Sequence, residues 1–220
     1  MSIPLYLRVM LEKAAVNSHG ASIHAQYAKE DIRAVLNALD VPDWTYPVGS
    51  AEYPTPGWYC ACWHDETGAR NDGYGHTGID LNVDRYPWDD VDRGQPVWAV
   101  TSGQVYAVGY SINYLGGIVI EIEHEGRPLW MRYWHLEFGK LAWVRLPGDA
   151  IQAGDLLGYI GNYHLGQGGD HVHLDVAKQP FQPHWWYPYH RDVHWIDPVP
   201  ILEAHLDSDV IEAMLTKGDA

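Results

Sequence analysis

Gly169-Asp170-His171-Val172-His173-Leu174-Asp175-Val176 alternates polar with apolar side chains, the two-residue period of a strand with one buried face. On such a strand His171, His173 and Asp175 leave one face, and Val172, Leu174 and Val176 the other. Two imidazoles side by side are a poor packing solution, because neither is buried cheaply without a partner. They suit a metal held by one ring with the other left for proton transfer. Paired histidines also occur on plain surfaces, so the weight falls on two upstream segments, His76-Thr77-Gly78-Ile79-Asp80 and Tyr133-Trp134-His135-Leu136.

Working outward, the same grammar repeats. Residues 78–83, 96–100, 104–110, 117–123, 129–135, 156–160 and 171–177 read as short strands, with Gly, Asp or Asn in nearly every gap. Seven such strands without intervening helices predict a mainly β chain with an antiparallel core. The Gly-led stretches 94–105 and 148–158 echo one another as two similar hairpin units.

Residues 1–50 read differently. Ile32, Val35, Leu36 and Leu39 fall on one helical face, and Leu5 to Val16 is a second candidate helix. Pro42 and Pro47 end this region. Residues 51–75, rich in Pro, Gly and aromatics, form an irregular approach. Val199 to Leu215 carries Leu202, Leu206, Val210 and Met214 in helical register. The expected organisation is a helical N-terminal accessory segment (1–50), a β domain (51–202) and a C-terminal helix or tail (203–220).

Composition narrows the function classes. Against 14 Lys and Arg stand 29 Asp and Glu, a net charge of -15. Such a surface repels nucleic-acid phosphates and does not dock electrostatically on anionic membranes. No run of 18 apolar residues predicts a membrane span. The N-terminus lacks the basic, apolar and small-residue regions of a secretory leader. Eleven Trp and fifteen Tyr against two Phe suit the faces of a β domain, and some suit an open groove. Cys60 and Cys62 are too close in sequence for an unstrained disulfide. They read as small buried or hairpin thiols, ahead of a soft-metal site shared with His64.

His76 and Asp80, four apart, return to one face of an extended or turn-interrupted segment, with Gly78 permitting a bend around an ion. With His173 they make a set of two imidazoles and a carboxylate. Three ligands leave a fourth tetrahedral position for water, as in catalytic zinc sites. His135 and His171 then remain, one to take a proton and the other to stabilise an oxyanion or protonate a leaving amine. Asp175 is placed to orient a ring from behind. Iron oxygenases and cupin-like proteins also use two His and a carboxylate on strands, but they space them as His-x-Asp or His-x-His followed several residues on by a Glu. Here three residues separate His76 from Asp80, and no such Glu follows His173.

These three segments resemble the signatures of the lysostaphin/LytM-type zinc metalloendopeptidases. The flanking stretches 96–105, 148–161 and 197–202 are similar to that family too, so the likeness spans about residues 74–202. It implies that His76, Asp80 and His173 hold one Zn²⁺ and that His135 and His171 are the catalytic pair. It also implies hydrolysis of peptide bonds in the stems or cross-bridges of bacterial peptidoglycan. The family's groove crosses the sheet between loops, here 84–93, 161–170 and 182–195, with Tyr133, Trp185 and Trp186 as aromatic lining. A phage lysin, made in the cytoplasm and acting on the wall after release, is one form this takes; a wall enzyme whose leader is missing is another. The alternative is a catalytically silent regulatory module, against which all five site positions are filled. Asp175 departs from the family's usual residue after His-x-His, and the aromatic loop 182–195 is longer than expected.

Overall fold

Alternation between buried and half-exposed positions becomes a sheet wherever neighbouring strands keep the same phase. The computed structural model describes residues 43–49, 58–62, 64, 76–82, 92–111, 115–137, 145–162, 170–180 and 195–215. Within these the strands are β1 (Tyr59–Cys62), β2 (Gly78–Asn82), β3 (Pro96–Trp98), β4 (Gly103–Ser111) and β5 (Leu115–His124), followed by β6 (Arg127–Leu136), β7 (Ala150–Ile151), β8 (Leu156–Tyr159), β9 (Val172–Ala177) and β10 (Trp195–Ile196). All seven expected strands are present. The additions, β1, β7 and β10, are edge pieces too short to show a period.

One antiparallel sheet runs β1-β2-β9-β6-β5-β4-β7, with β10 pairing β9 beyond the end of β2. Its core face carries Ile79 and Leu81, then Val172, Leu174 and Val176, then Met131 and Tyr133, then Ile118 and Ile120. The opposite face carries Asp80, His173, Asp175, Arg132 and Trp134, which cross-strand register places side by side. β3 and β8 form a second, two-stranded sheet. The two echoing stretches therefore pair with each other, and Ala99 N–H donates to the Asp155 carbonyl at 2.8 Å.

Residues 43–49 depart from the expected accessory segment. They run extended along residues 98–101: Thr45 N–H donates to the Val100 carbonyl at 2.7 Å, and Trp98 Nε1–H to the Gly49 carbonyl at 2.8 Å. Tyr46 and Val48 are buried in the main core, each burial contributing about 1.5–3 kcal/mol. Pro42 and Pro47 exclude a helix here, and an extended apolar Thr45-Tyr46-Pro47-Val48 packs as a strap instead. The helices expected over residues 1–42 lie outside the described residues.

The single helix expected over 199–215 is two: α1 (Val199–Glu203) and α2 (Ser208–Leu215). Asp207 makes the break. Its Oδ1 accepts from the backbone N–H of Asp209 at 3.0 Å and of Val210 at 3.4 Å, the work of an N-cap. Among the described residues no helix is long and apolar enough to cross a membrane.

Candidate metal centre

Asp80 sits at the middle of β2, directly opposite His173 on β9. Three imidazole nitrogens converge on its Oδ1: His173 Nδ1 at 2.8 Å, His76 Nε2 at 3.2 Å and His171 Nε2 at 3.4 Å. Burial alone would raise the Asp80 carboxyl, but the charge of His171 and the hydrogen bonds from His173 and His76 hold it well below the usual carboxylate range. Burial would likewise lower His76; its bonds to Asp80 and Cys62 outweigh that and push it up to about 10.

The donor set fits a divalent metal. Zinc–nitrogen and zinc–oxygen bonds of about 2.0–2.1 Å put tetrahedral ligands roughly 3.3 Å apart, close to the separations from Asp80 Oδ1 to His76 and His173. His173 is also oriented for it. Its Nε2 lies 2.9 Å from Asp175 Oδ2 and 3.1 Å from Thr77 Oγ1, which leaves Nδ1 facing Asp80. A carboxylate behind a ligating ring fixes its tautomer and raises its basicity. Asp175 is thus placed as the sequence suggests.

Arg132 and Thr77, absent from that reading, complete the arrangement. Arg132 is fully buried and makes a two-pronged salt bridge to Asp175, with Nε to Oδ1 at 3.0 Å and Nη2 to Oδ2. Its guanidinium lies between the rings of Trp134 at 4.2 Å and Trp195 at 4.8 Å, a favourable desolvated cation–π setting. The detectable trace was a lone charge in the apolar run 129–134, in phase with Trp134. Thr77 Oγ1 donates to Asp175 Oδ2 at 2.9 Å.

His135 reaches the site by an irregularity. Gly116 pairs Leu136 while Gly117 pairs Trp134, so His135 is an extra residue in β6, and its φ is +65°. This bulge turns its ring onto the face of Trp134, against which it stacks at 5.4 Å and 4°. His171 meets it edge-on at 4.6 Å. The carbonyl of His135 accepts from Gly161 N–H at 2.8 Å, which pins the turn.

The same bulge corrects the placement of Tyr133. Regular alternation would put Tyr133 and His135 on one face; instead Tyr133 is 1% exposed on the core face. Its hydroxyl accepts from Val100 N–H at 2.8 Å and donates to Met131 Sδ at 3.1 Å. It lines no groove. Trp185 and Trp186 lie outside the described residues, as do most of the proposed wall loops. Gly78 also acts differently from expectation. A Cβ there would stand 2.0 Å from the Leu174 carbonyl oxygen, so the glycine admits β9 rather than bending around an ion. The soft-metal grouping is divided too: Cys60 faces the core, Cys62 faces His76 and Asp80, and His64 Nδ1 contacts the Thr77 carbonyl at 3.1 Å.

The sequence profile of Peptidase family M23 matches residues 74–183, half of the chain, and includes every residue of this centre except Cys62 and Trp195. The chain belongs to that family. Peptidases of family M23 are typically zinc-dependent, and the mostly antiparallel β fold agrees with solved structures. It is similar to lysostaphin (19% identity, TM-score 0.51, covering 80% of this chain and 58% of that one). It is also similar to LytU (21% identity, TM-score 0.50, covering 72% of this chain and 92% of that one). The chain therefore spans a little over half of lysostaphin's length. No curated protein sequence matches it.

The raised His76 gives this M23 chain a measurable property. In the metal-free state His76 stays protonated up to about pH 10, and a ligating imidazole must be neutral. Metal uptake at pH 7 is therefore expected to release protons. Calorimetric titration with Zn²⁺ in two buffers of different ionisation enthalpy reads this directly; identical heats in both would contradict it.

Proposed function

We propose that this M23 chain is a zinc-dependent endopeptidase that hydrolyses peptide bonds in the stems or cross-bridges of bacterial peptidoglycan. The observation that carries the reading is the convergence of three imidazole nitrogens on Asp80 Oδ1 with a fourth imidazole, His135, against His171. His76, Asp80 and His173 are the proposed ligands. A zinc ion held there would supply Lewis acidity and acidify a water.

The remaining work falls to the chain's own groups. His171 and His135 face one another with partly exposed and buried rings respectively. One accepts the proton of the attacking water; the other stabilises the developing oxyanion or protonates the leaving amine. Asp175, held by Arg132 and Thr77, keeps His173 in the tautomer that presents Nδ1. Asp170 fixes the approach to His171: it accepts from Arg93 Nε at 3.0 Å, and its carbonyl accepts from Asn82 Nδ2 at 3.2 Å.

The test is digestion of purified peptidoglycan of several cross-bridge types, with mass analysis of the released ends. Zinc-loaded protein should expose new amino termini, chelator-stripped protein should expose none, and zinc should restore them. Product formation that is indifferent to chelation, or no product from any wall type at full zinc occupancy, would sink the proposal.

A further inference from the structure

We infer that Cys62 is a fourth protein ligand of the metal centre, binding through Sγ beside His76 and Asp80. The inference rests on the proposed assignment of His76, Asp80 and His173 as metal ligands. Sγ of Cys62, a ring nitrogen of His76 and a carboxylate oxygen of Asp80 lie within 4.8 Å of one another, a group that leaves out His173, whose Nδ1 reaches the same Asp80 Oδ1 at 2.8 Å. The thiol is also in hydrogen-bonding contact with the His76 ring. These are a soft, a borderline and a hard donor around one point, and zinc takes sulfur, nitrogen and oxygen together.

Strand register explains how Cys62 comes to be there. Cys60 pairs Leu81 in the core, and two residues on, a regular ladder would send Cys62 the same way. Instead Cys62 pairs Asp80, because β1 carries an extra residue at Ala61. A bulge of this kind re-aims one side chain, here from the core face to the face of the centre. Cys62 is partly buried and forms no disulfide. On binding, its S–H proton passes to solvent and one sulfur–metal bond forms, with no change of oxidation state.

Three protein ligands leave a position for water; four close a tetrahedral shell. With a metal bound, the Cys62 thiolate would take the position that three ligands leave for water, a closed resting form from which the thiolate would have to withdraw before hydrolysis.

Cobalt(II) substitution of the full chain tests this by absorption spectroscopy. A thiolate-to-cobalt charge-transfer band is expected in the wild type and in Cys60→Ala, and not in Cys62→Ala or Cys62→Ser. The cobalt dissociation constant should rise in both Cys62 variants by about 10–100-fold, the range seen even for partners behind the ligands. At saturating zinc, Cys62→Ala should cleave peptidoglycan faster than the wild type; a rate no faster overturns the closed resting form. Cobalt that binds stoichiometrically, is lost in His173→Ala and shows no charge-transfer band overturns the Cys62 ligand and leaves the three-residue centre intact. Cobalt binding that is insensitive to His173→Ala overturns both.

Discussion

Replacing Arg132 by Leu is expected to lower stability by about 3–5 kcal/mol, a fall in melting temperature of about 6–20 °C for a domain of this size. The guanidinium is fully buried, doubly bonded to a fully buried carboxylate and enclosed by two indole rings. Removing it strips the buried Asp175 carboxylate of its two-pronged cationic partner and leaves it only Thr77 and the His173 ring. The loss is mainly that uncompensated carboxylate, so the double variant Arg132→Leu/Asp175→Leu should recover most of the stability. Chemical denaturation of the wild type and the two variants checks this; equal losses in the single and double variants would show that packing, not charge, is responsible. A pH series adds an independent reading. Burial would raise the Asp175 carboxyl, yet Arg132 and His173 bring it below its ordinary value. A depressed carboxylate stabilises the fold above its unfolded pKa of about 4 and loses that contribution as pH falls below it. The wild type should weaken there more steeply than the double variant.

His135→Gly and His171→Ala should each slow peptidoglycan hydrolysis by about 10²–10⁴-fold while zinc content, measured by elemental analysis, stays near one per chain. The two positions differ in what the backbone feels. His135 occupies φ +65°, a left-handed conformation that costs a residue with a Cβ about 1–2 kcal/mol. His135→Gly should therefore be more stable than His135→Ala by about 1 kcal/mol although both should be slowed alike. Strain at a position that aims a functional ring is a common exchange of stability for geometry. A His135→Gly protein that retained wild-type turnover at full zinc occupancy would remove this residue from the proposed chemistry.

Much of the centre was legible because it obeys alternation. His171, His173 and Asp175 lie in phase, which a two-residue period shows; Asp80 joins them through its spacing from His76 and the family resemblance, and β2–β9 register sets it opposite His173. Arg132 was legible in principle by the same rule, since it shares its phase with Trp134 in a run otherwise apolar. What could not be read were the places where a ladder slips by one. Tyr133 and His135 should share a face and do not; Cys60 and Cys62 should share a face and do not. Each slip depends on the pairing of two distant strands, which local pattern does not contain. The strap 43–49 is illegible for a related reason: Tyr46 and Val48 take their burial from contacts with residues some fifty positions away.

The two offset residues also limit how this chemistry could be transplanted. A designer copying His76, Asp80, His171 and His173 onto a flat, regular sheet would obtain the metal cradle from ordinary register. That scaffold would hold neither the stacked imidazole of His135 nor the thiol of Cys62 in place. Both depend on a strand carrying one residue more than its neighbour requires, so the graft would have to include those insertions and the contacts that keep them from relaxing.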